Sequence, residues 1–271
     1  MSLKHFVKLM RIGQWWNKLL ILFAAAMIMV VWNQNAEGFY GALIFMFVYA
    51  IFGGSYGYVI NSYFDRIPDE KLNKYPDVRH FTKREHGLVL VFLGLMTLLM
   101  PLYYQDLTIV AIGVVIFLLI TFYSAPPLRF KERSILGPLS VAFAHRPLPF
   151  LFFMLLIPAD MMLTVFLFIW LSLIGLPQTI GHQLLDYEND IKTGIKTMPQ
   201  AMGFSNAYKI AIALVCVSFL FIFTAPLLFG LVNGLALALM LSVFSGATIE
   251  YTLSALYNTR KKVTPPTNSE S

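Results

Sequence analysis

Asn61, Asp65 and Asp69 stand four residues apart, so on a helix their side chains project from one face at steps of about 6 Å. Asp186 and Asp190 repeat that spacing about 120 residues later. Amide and carboxylate oxygens from two helix ends form a hard-ligand set of the kind Mg²⁺ takes together with water and phosphate oxygens. The stretch from Asn61 to Asp69 covers about 12 Å, more than one ion reaches, so two or more ions bridging a diphosphate suit it better. Either acidic pair alone could simply mark where a helix leaves a membrane. Two pairs at matching positions favour a site.

Basic residues follow each feature. Arg79, Lys83 and Arg84 come after the first acidic run, and Arg129, Lys131 and Arg133 come after Tyr123-Ser-Ala-Pro-Pro-Leu128. Cations beside metal-loaded carboxylates suit phosphate oxygens, and the Pro126-Pro127 pair makes a rigid turn that holds Tyr123 and Arg129. Arg146, with His145, falls inside an apolar run, where an unmatched charge costs a few kcal/mol or more. It is expected to face the protein interior and meet an acid, a carbonyl or an anionic substrate. His182 and Gln183 lie one turn before Asp186 and can either face a cavity or bond between helices. Pro68 disfavours helix at Ile67, which places Asp69 just past the helix end.

The elements that carry these residues are membrane spans. The 271 residues are 58% hydrophobic and 13% charged, against roughly 25% charged in an average soluble domain. Apolar runs of roughly 20 residues, enough to cross a ~30 Å hydrocarbon layer, predict spans at 12–32, 39–64, 86–104, 107–124, 135–157, 161–187, 206–225 and 227–256. Short connections at 33–38, 105–106, 158–160 and around Pro226 hold none of the 20 Lys and Arg, while 65–85, 125–134 and 188–205 carry both signs. By the positive-inside rule the long loops and both termini are cytoplasmic, with Glu37, Asp106 and Asp160 outside. Reading 12–32 as a surface helix would leave seven spans and separate the termini.

The fold expected is all-α: a polytopic membrane bundle of about eight transmembrane helices, with nine as the alternative, in two pseudo-repeated four-helix halves around a central cavity. Residues 1–262 form one domain, and 263–271 a polar, disordered tail. The net charge of +6 is accounted for by basic loops at a membrane surface without nucleic acid. Cys216, the single cysteine, supports neither an internal disulfide nor a cysteine metal cluster.

At the acidic motifs the chain resembles the UbiA superfamily of intramembrane prenyltransferases. Asn61-x-x-x-Asp65-x-x-x-Asp69 is similar to the family's first aspartate-rich motif, and Asp186-x-x-x-Asp190-x-x-x-Gly194-x-x-Thr197 to the second. Tyr123-Ser-Ala-Pro-Pro-Leu-Arg-Phe-Lys131 resembles the loop after the fourth helix. The resemblance, covering about 10–205, implies Mg²⁺ and diphosphate held by Asn61, Asp65, Asp69, Asp186 and Asp190, with Tyr123, Arg129 and Lys131 assisting ionisation or gripping phosphate. Arg79 stands where the family has Arg-Pro, but His80 replaces the proline and Lys83-Arg84 replace small residues. The family commonly has nine helices. The Tyr-to-Lys spacing of eight differs from that of the hydroxybenzoate-type branch, so no acceptor carries over.

The implied partners are an isoprenyl diphosphate, an aromatic or lipid acceptor, and membrane lipids, in a prokaryotic plasma membrane. Arg146 would suit a carboxylated acceptor. A cyclase of the same fold, in which the substrate's own alkene attacks the cation, is the nearest rival. A transporter is disfavoured because no Gly- or Pro-broken helix pair is evident near the midplane.

Overall fold

The computed structural model describes residues 3–15, 19–33, 38–74 and 81–263. Fifteen α-helices follow in order: α1 (Leu3–Met10), α2 (Ile12–Trp15), α3 (Leu19–Asn33), α4 (Phe39–Phe64), α5 (Arg66–Lys71), α6 (Lys83–Leu99), α7 (Leu107–Ser124), α8 (Leu136–His145), α9 (Pro147–Met154), α10 (Met161–Leu185), α11 (Tyr187–Thr193), α12 (Met198–Met202), α13 (Phe204–Ile222), α14 (Ala225–Phe229) and α15 (Leu231–Val263). A 3₁₀ turn, Met100–Tyr104, prolongs α6. Among the described residues, 5 helices or helix pairs are long and apolar enough to cross a membrane: Phe39–Phe64, Lys83–Tyr104, Leu107–Ser124, Met161–Leu185 and Phe204–Phe229.

Local chemistry sets the ends. Asp106 starts α7 by accepting from the backbone N–H groups of Thr108 at 2.8 Å and Ile109 at 2.9 Å. Asp160 starts α10 by accepting from Leu163 N–H at 2.8 Å, and Thr82 and Glu85 form a capping box at α6. Asp106 and Asp160, two of the acids expected on the outer side, are thus helix caps, which satisfy amides left without intrahelical partners. Along α6, Val89 and Leu93 are buried while Leu88, Val91 and Leu95 are exposed. Apolar side chains on both faces suit a helix whose outer face meets lipid.

The expected fifth span is corrected here. Residues 135–157 are not one helix but α8 and α9, broken at Arg146 (φ −136°, ψ −73°) ahead of Pro147. Proline lacks the N–H that would continue α8, and it is well placed at the first position of α9. One Pro-broken segment is therefore present, where the sequence reads as an unbroken span. The expected loop at Pro226 is the short helix α14, and the chain instead turns at Gly230 (φ 77°). Arg79 and Glu37, and the tail after 263, lie outside the described residues.

The chain divides into two compact units, residues 1–131 with 139–172, and residues 132–138 with 173–271. This boundary does not coincide with the midpoint between two four-helix halves. In the first unit α4 packs against α6 and α7, and α9 against α3, α4 and α7. Tyr49, Tyr56, Val59, Leu93 and Ile116 belong to its core. Gly113 admits Pro101, whose Cγ would stand 2.5 Å from an added Cβ. In the second unit Ile180 and Leu184 of α10 pack with Met198, Ala207 and Ala211. The two alanines, one turn apart on α13, allow close helix approach.

Gly234 makes a close backbone contact in the second unit. An added Cβ would lie 2.4 Å from both the Ala225 carbonyl oxygen and Pro226 Cα. Gly234→Ala is expected to destabilise by about 1–3 kcal/mol, whereas Gly87→Ala, which meets nothing within 4 Å, should leave the melting temperature unchanged or raise it slightly. Thermal unfolding in detergent measures both; equal midpoints would contradict this packing.

Candidate active site

The first site lies entirely within the first unit. α4 stops at Phe64, and Asp65 (φ −97°, ψ 11°) joins it to α5. The break is at Asp65, three residues before the Pro68 that was expected to cause it. Pro68 instead occupies the first turn of α5, where the missing N–H has no intrahelical acceptor in any case. Asp69 accordingly lies inside a helix rather than past its end. Asp65 N–H donates to Asn61 O at 2.9 Å and Asp69 N–H to Asp65 O at 2.8 Å, which preserves the four-residue spacing across the break.

Asp65 is 7% exposed and Lys131 4%. Lys131 Nζ donates to Asp65 Oδ1, and Arg129 Nη2 donates to the same oxygen at 3.2 Å. The cations arrive from the segment after α7, where the Pro126-Pro127 peptide is cis and Arg129 adopts φ 41°. A positive φ at a non-glycine residue is uncommon, and the ion pair and the Arg129 N–H bond to Ala125 O at 3.0 Å hold it. Ser124 Oγ donates to Asn61 Oδ1 at 2.7 Å, while Tyr123 is half-buried one residue earlier. Asp69 is pushed up to about 6, first by burial and then by the neighbouring charge of Asp65, with Lys74, Arg11 and Lys131 pulling the other way. A carboxyl raised by a like charge stands to gain from a further cation.

Arg11 enters this site, although its sequence position reads only as a charge flanking a span. Its Nη1 donates to Ser62 Oγ at 2.7 Å and its guanidinium stands 5.0 Å from the Tyr58 ring centroid. Ser62 in turn donates to Tyr58 O at 2.9 Å. The available signal was a hydroxyl and an aromatic one turn apart beside Asn61, a natural seat for a guanidinium. Lys83 is exposed on the first turn of α6. Arg146, 3% exposed, belongs to the same unit at the α8–α9 break.

The second acidic pair lies within the second unit and is built the same way. α10 ends at Leu185, Asp186 (φ −87°, ψ 0°) makes the joint, and α11 follows. Asp186 N–H donates to His182 O at 3.2 Å and Asp190 N–H to Asp186 O at 2.8 Å. Asp190, 9% exposed, accepts from Thr197 Oγ at 3.0 Å, and Gly194 (φ 76°) turns the chain back towards Thr197. His182 is half-buried, and the amide of Gln183, 6% exposed, has no hydrogen-bond partner at either atom.

Among the described residues no three His, Cys, Asp or Glu side chains converge to hold a metal by themselves. Each acidic pair can supply part of a coordination shell, and external oxygens must complete it. That is ordinary for Mg²⁺, which keeps waters and binds through one or two carboxylates plus substrate phosphates.

A sequence profile of the UbiA prenyltransferase family matches residues 19–266. The fold is similar to that of a UbiA homologue from Archaeoglobus fulgidus solved with DMAPP and Mg²⁺, at TM-score 0.73 and 19% identity over 93% of this chain and 86% of that one. The structure of that homologue with GPP and Mg²⁺ gives 0.69 and 20% over 97% and 91%. A structure described for digeranylgeranylglyceryl phosphate synthase gives 0.64 and 19% over 96% and 99%. No curated protein sequence matches the chain.

The ion pair at Asp65 yields a prediction. Asp65→Asn leaves Lys131 buried without its carboxylate and should cost about 3 kcal/mol, and Asp65→Asn/Lys131→Met should recover part of that loss. Chemical unfolding of the four proteins would give a coupling energy of at least about 1 kcal/mol; additive losses would mean that the pair is not formed.

Proposed function

Because the chain belongs to the UbiA prenyltransferase family, we propose that it is a Mg²⁺-dependent intramembrane enzyme that moves a prenyl group from an isoprenyl diphosphate to an aromatic or lipid acceptor. The observation that carries this reading is the twice-used helix joint that presents Asp65 with Asp69, the former paired with the buried Lys131, and Asp186 with Asp190. We assign the catalytic domain to residues 1–262, with eight membrane crossings. The charge asymmetry of the loops supports a prokaryotic plasma-membrane protein whose termini and site mouth are cytoplasmic.

The donor set fits the metal: two acidic pairs, each with one buried member, one carboxyl raised by burial and then by its neighbour, and too few protein ligands in either pair to complete a shell. Asn61, Asp65, Asp69, Asp186 and Asp190 would hold Mg²⁺, whose charge would offset that of diphosphate and so favour its departure. Ser124 orients the Asn61 amide by donating to its oxygen, so that oxygen keeps a fixed direction. Arg129 and Lys131 balance Asp65 before substrate arrives and turn towards phosphate oxygens once the carboxylate is otherwise engaged. Lys83, and Arg79 by its place in the sequence after the first motif, would meet diphosphate oxygens, and Tyr123 would assist ionisation from the end of α7.

As the carbon–oxygen bond of the donor breaks, its electron pair leaves with diphosphate. The acceptor's nucleophilic atom then bonds to the terminal prenyl carbon and loses a proton. Arg146 and His182 are assigned to acceptor contact, Arg146 suiting a carboxylate.

The test follows diphosphate release and organic products by mass spectrometry for the purified protein with Mg²⁺, prenyl diphosphates of five to twenty carbons and a panel of acceptors. Acceptor-dependent release is expected, falling by about 100-fold or more in Asp69→Asn and Asp190→Asn. These variants spare Asp65, which also carries structure. A cyclised product without acceptor would replace transfer by cyclisation, and no release with any donor would overturn the reading.

A further inference from the structure

The Gln183 side chain is 6% exposed, and neither its Nε2 nor its Oε1 has a hydrogen-bond partner. The finding holds for either orientation of the amide, since both ends are unmatched. Nearly all buried polar side chains in proteins are bonded. Within membrane-length helices, polar side chains turn to the bundle interior and mark functional sites.

The position of Gln183 on α10 shows which way it faces. At 100° per residue, His182, Gln183, Thr179 and Gly175 fall with Asp186 in a sector of about 100°. The bond from Asp186 N–H to His182 O keeps the joint residue on that helical path. The other side of α10 is occupied, because Ile180 and Leu184 pack on Met198, Ala207 and Ala211. The polar sector therefore turns away from α13. Thr179, 8% exposed, donates to Gly175 O at 3.0 Å, which leaves its oxygen open to accept. A strip of polar and small side chains thus runs about 16 Å from Asp186 along a membrane-length helix, wholly within the second unit.

We propose that Gln183 is a specificity-determining residue that binds a hydroxylated prenyl acceptor, with Nε2 donating to and Oε1 accepting from its hydroxyl groups; the inference rests on the prenyl-transfer reading. The chemistry of the amide selects this class. A carboxylate or phosphate only accepts, so it would serve Nε2 and leave Oε1 unmatched against negative charge, whereas hydroxyls serve both. The depth agrees. Gln183 precedes Asp186 by three residues, about 4.5 Å along the axis. Diphosphate held at Asp186 and Asp190 puts the donor's reacting carbon one bond from a phosphate oxygen, and the acceptor's nucleophile must come within about 3–3.5 Å of that carbon. An acceptor hydroxyl one turn further into the membrane than the phosphates meets that demand.

The test compares the full-length wild type with Gln183→Met, which keeps the length of the side chain and removes both polar ends. Without substrate, Gln183→Met should melt at the wild-type temperature or above, because no bond is lost and a buried polar group is removed. A clear drop would mean that Gln183 is bonded within the protein and would overturn the inference. Steady-state kinetics then use hydroquinone and hexadecylglycerol as hydroxylated acceptors and indole as a hydroxyl-free control, with donors of five to twenty carbons. Turnover is expected with a hydroxylated acceptor, and Gln183→Met should raise its KM by about tenfold or more while leaving the donor KM unchanged. An unchanged acceptor KM, an equal rise in donor KM, or turnover with indole alone overturns the inference and leaves prenyl transfer standing. Absence of turnover in the wild type with every donor and acceptor removes the prenyl-transfer reading, and this inference with it.

Discussion

A carboxylate taken out of water at the end of a membrane-length helix must be matched, and Asp65 is matched by Lys131 and Arg129. Desolvating an ion costs several kcal/mol, which only close opposite charge and good hydrogen bonding offset. That requirement fixes the rest of the first site. The segment after α7 must return to α4, Arg129 must accept a left-handed backbone, and Lys131 must lose nearly all contact with solvent. Asp69, raised first by burial and then by the charge of Asp65, also gains from an added cation. An ion pair of this kind keeps cationic charge beside the acidic motif without leaving it bare in an apolar setting.

The two acidic pairs share one local device, a long helix that ends one residue before a short one. The joint residue, Asp65 or Asp186, keeps the backbone bond to the residue four before it and accepts from the acid four after it. The side chains therefore stay on one face while the helix axis is free to change direction. A continuous helix would keep the spacing but carry the outer acid straight along the membrane normal. Proline in the first turn of α5 suits this device, because it starts a helix as readily as it stops one.

Much of this was legible in the residues. The spans read at 39–64 and 107–124 coincide with α4 and α7, since uniform apolar runs bounded by Gly38, Asp65, Asp106 and Ala125 leave little choice of ends. The fifth span was misread because hydropathy averages over Arg146-Pro147, where backbone chemistry rather than polarity decides. Placing the helix break at Pro68 treated proline as a terminator only. Arg11 was hidden because a cation near a span end carries the same topological signal whether it faces solvent or Ser62. The partner of Asp65 could not be chosen from spacing, as Arg129, Lys131 and Arg133 alternate along one loop and only its fold decides which of them turn inward.

The central claim is that each acidic pair is an incomplete metal shell that phosphate oxygens finish. Calorimetric titration of Mg²⁺ into the full-length protein, with and without saturating inorganic diphosphate, addresses it directly. The account predicts weak binding of Mg²⁺ alone, strengthened by about tenfold or more when diphosphate is present, and loss of that gain in Asp190→Asn. Equal Mg²⁺ affinity with and without diphosphate would contradict it.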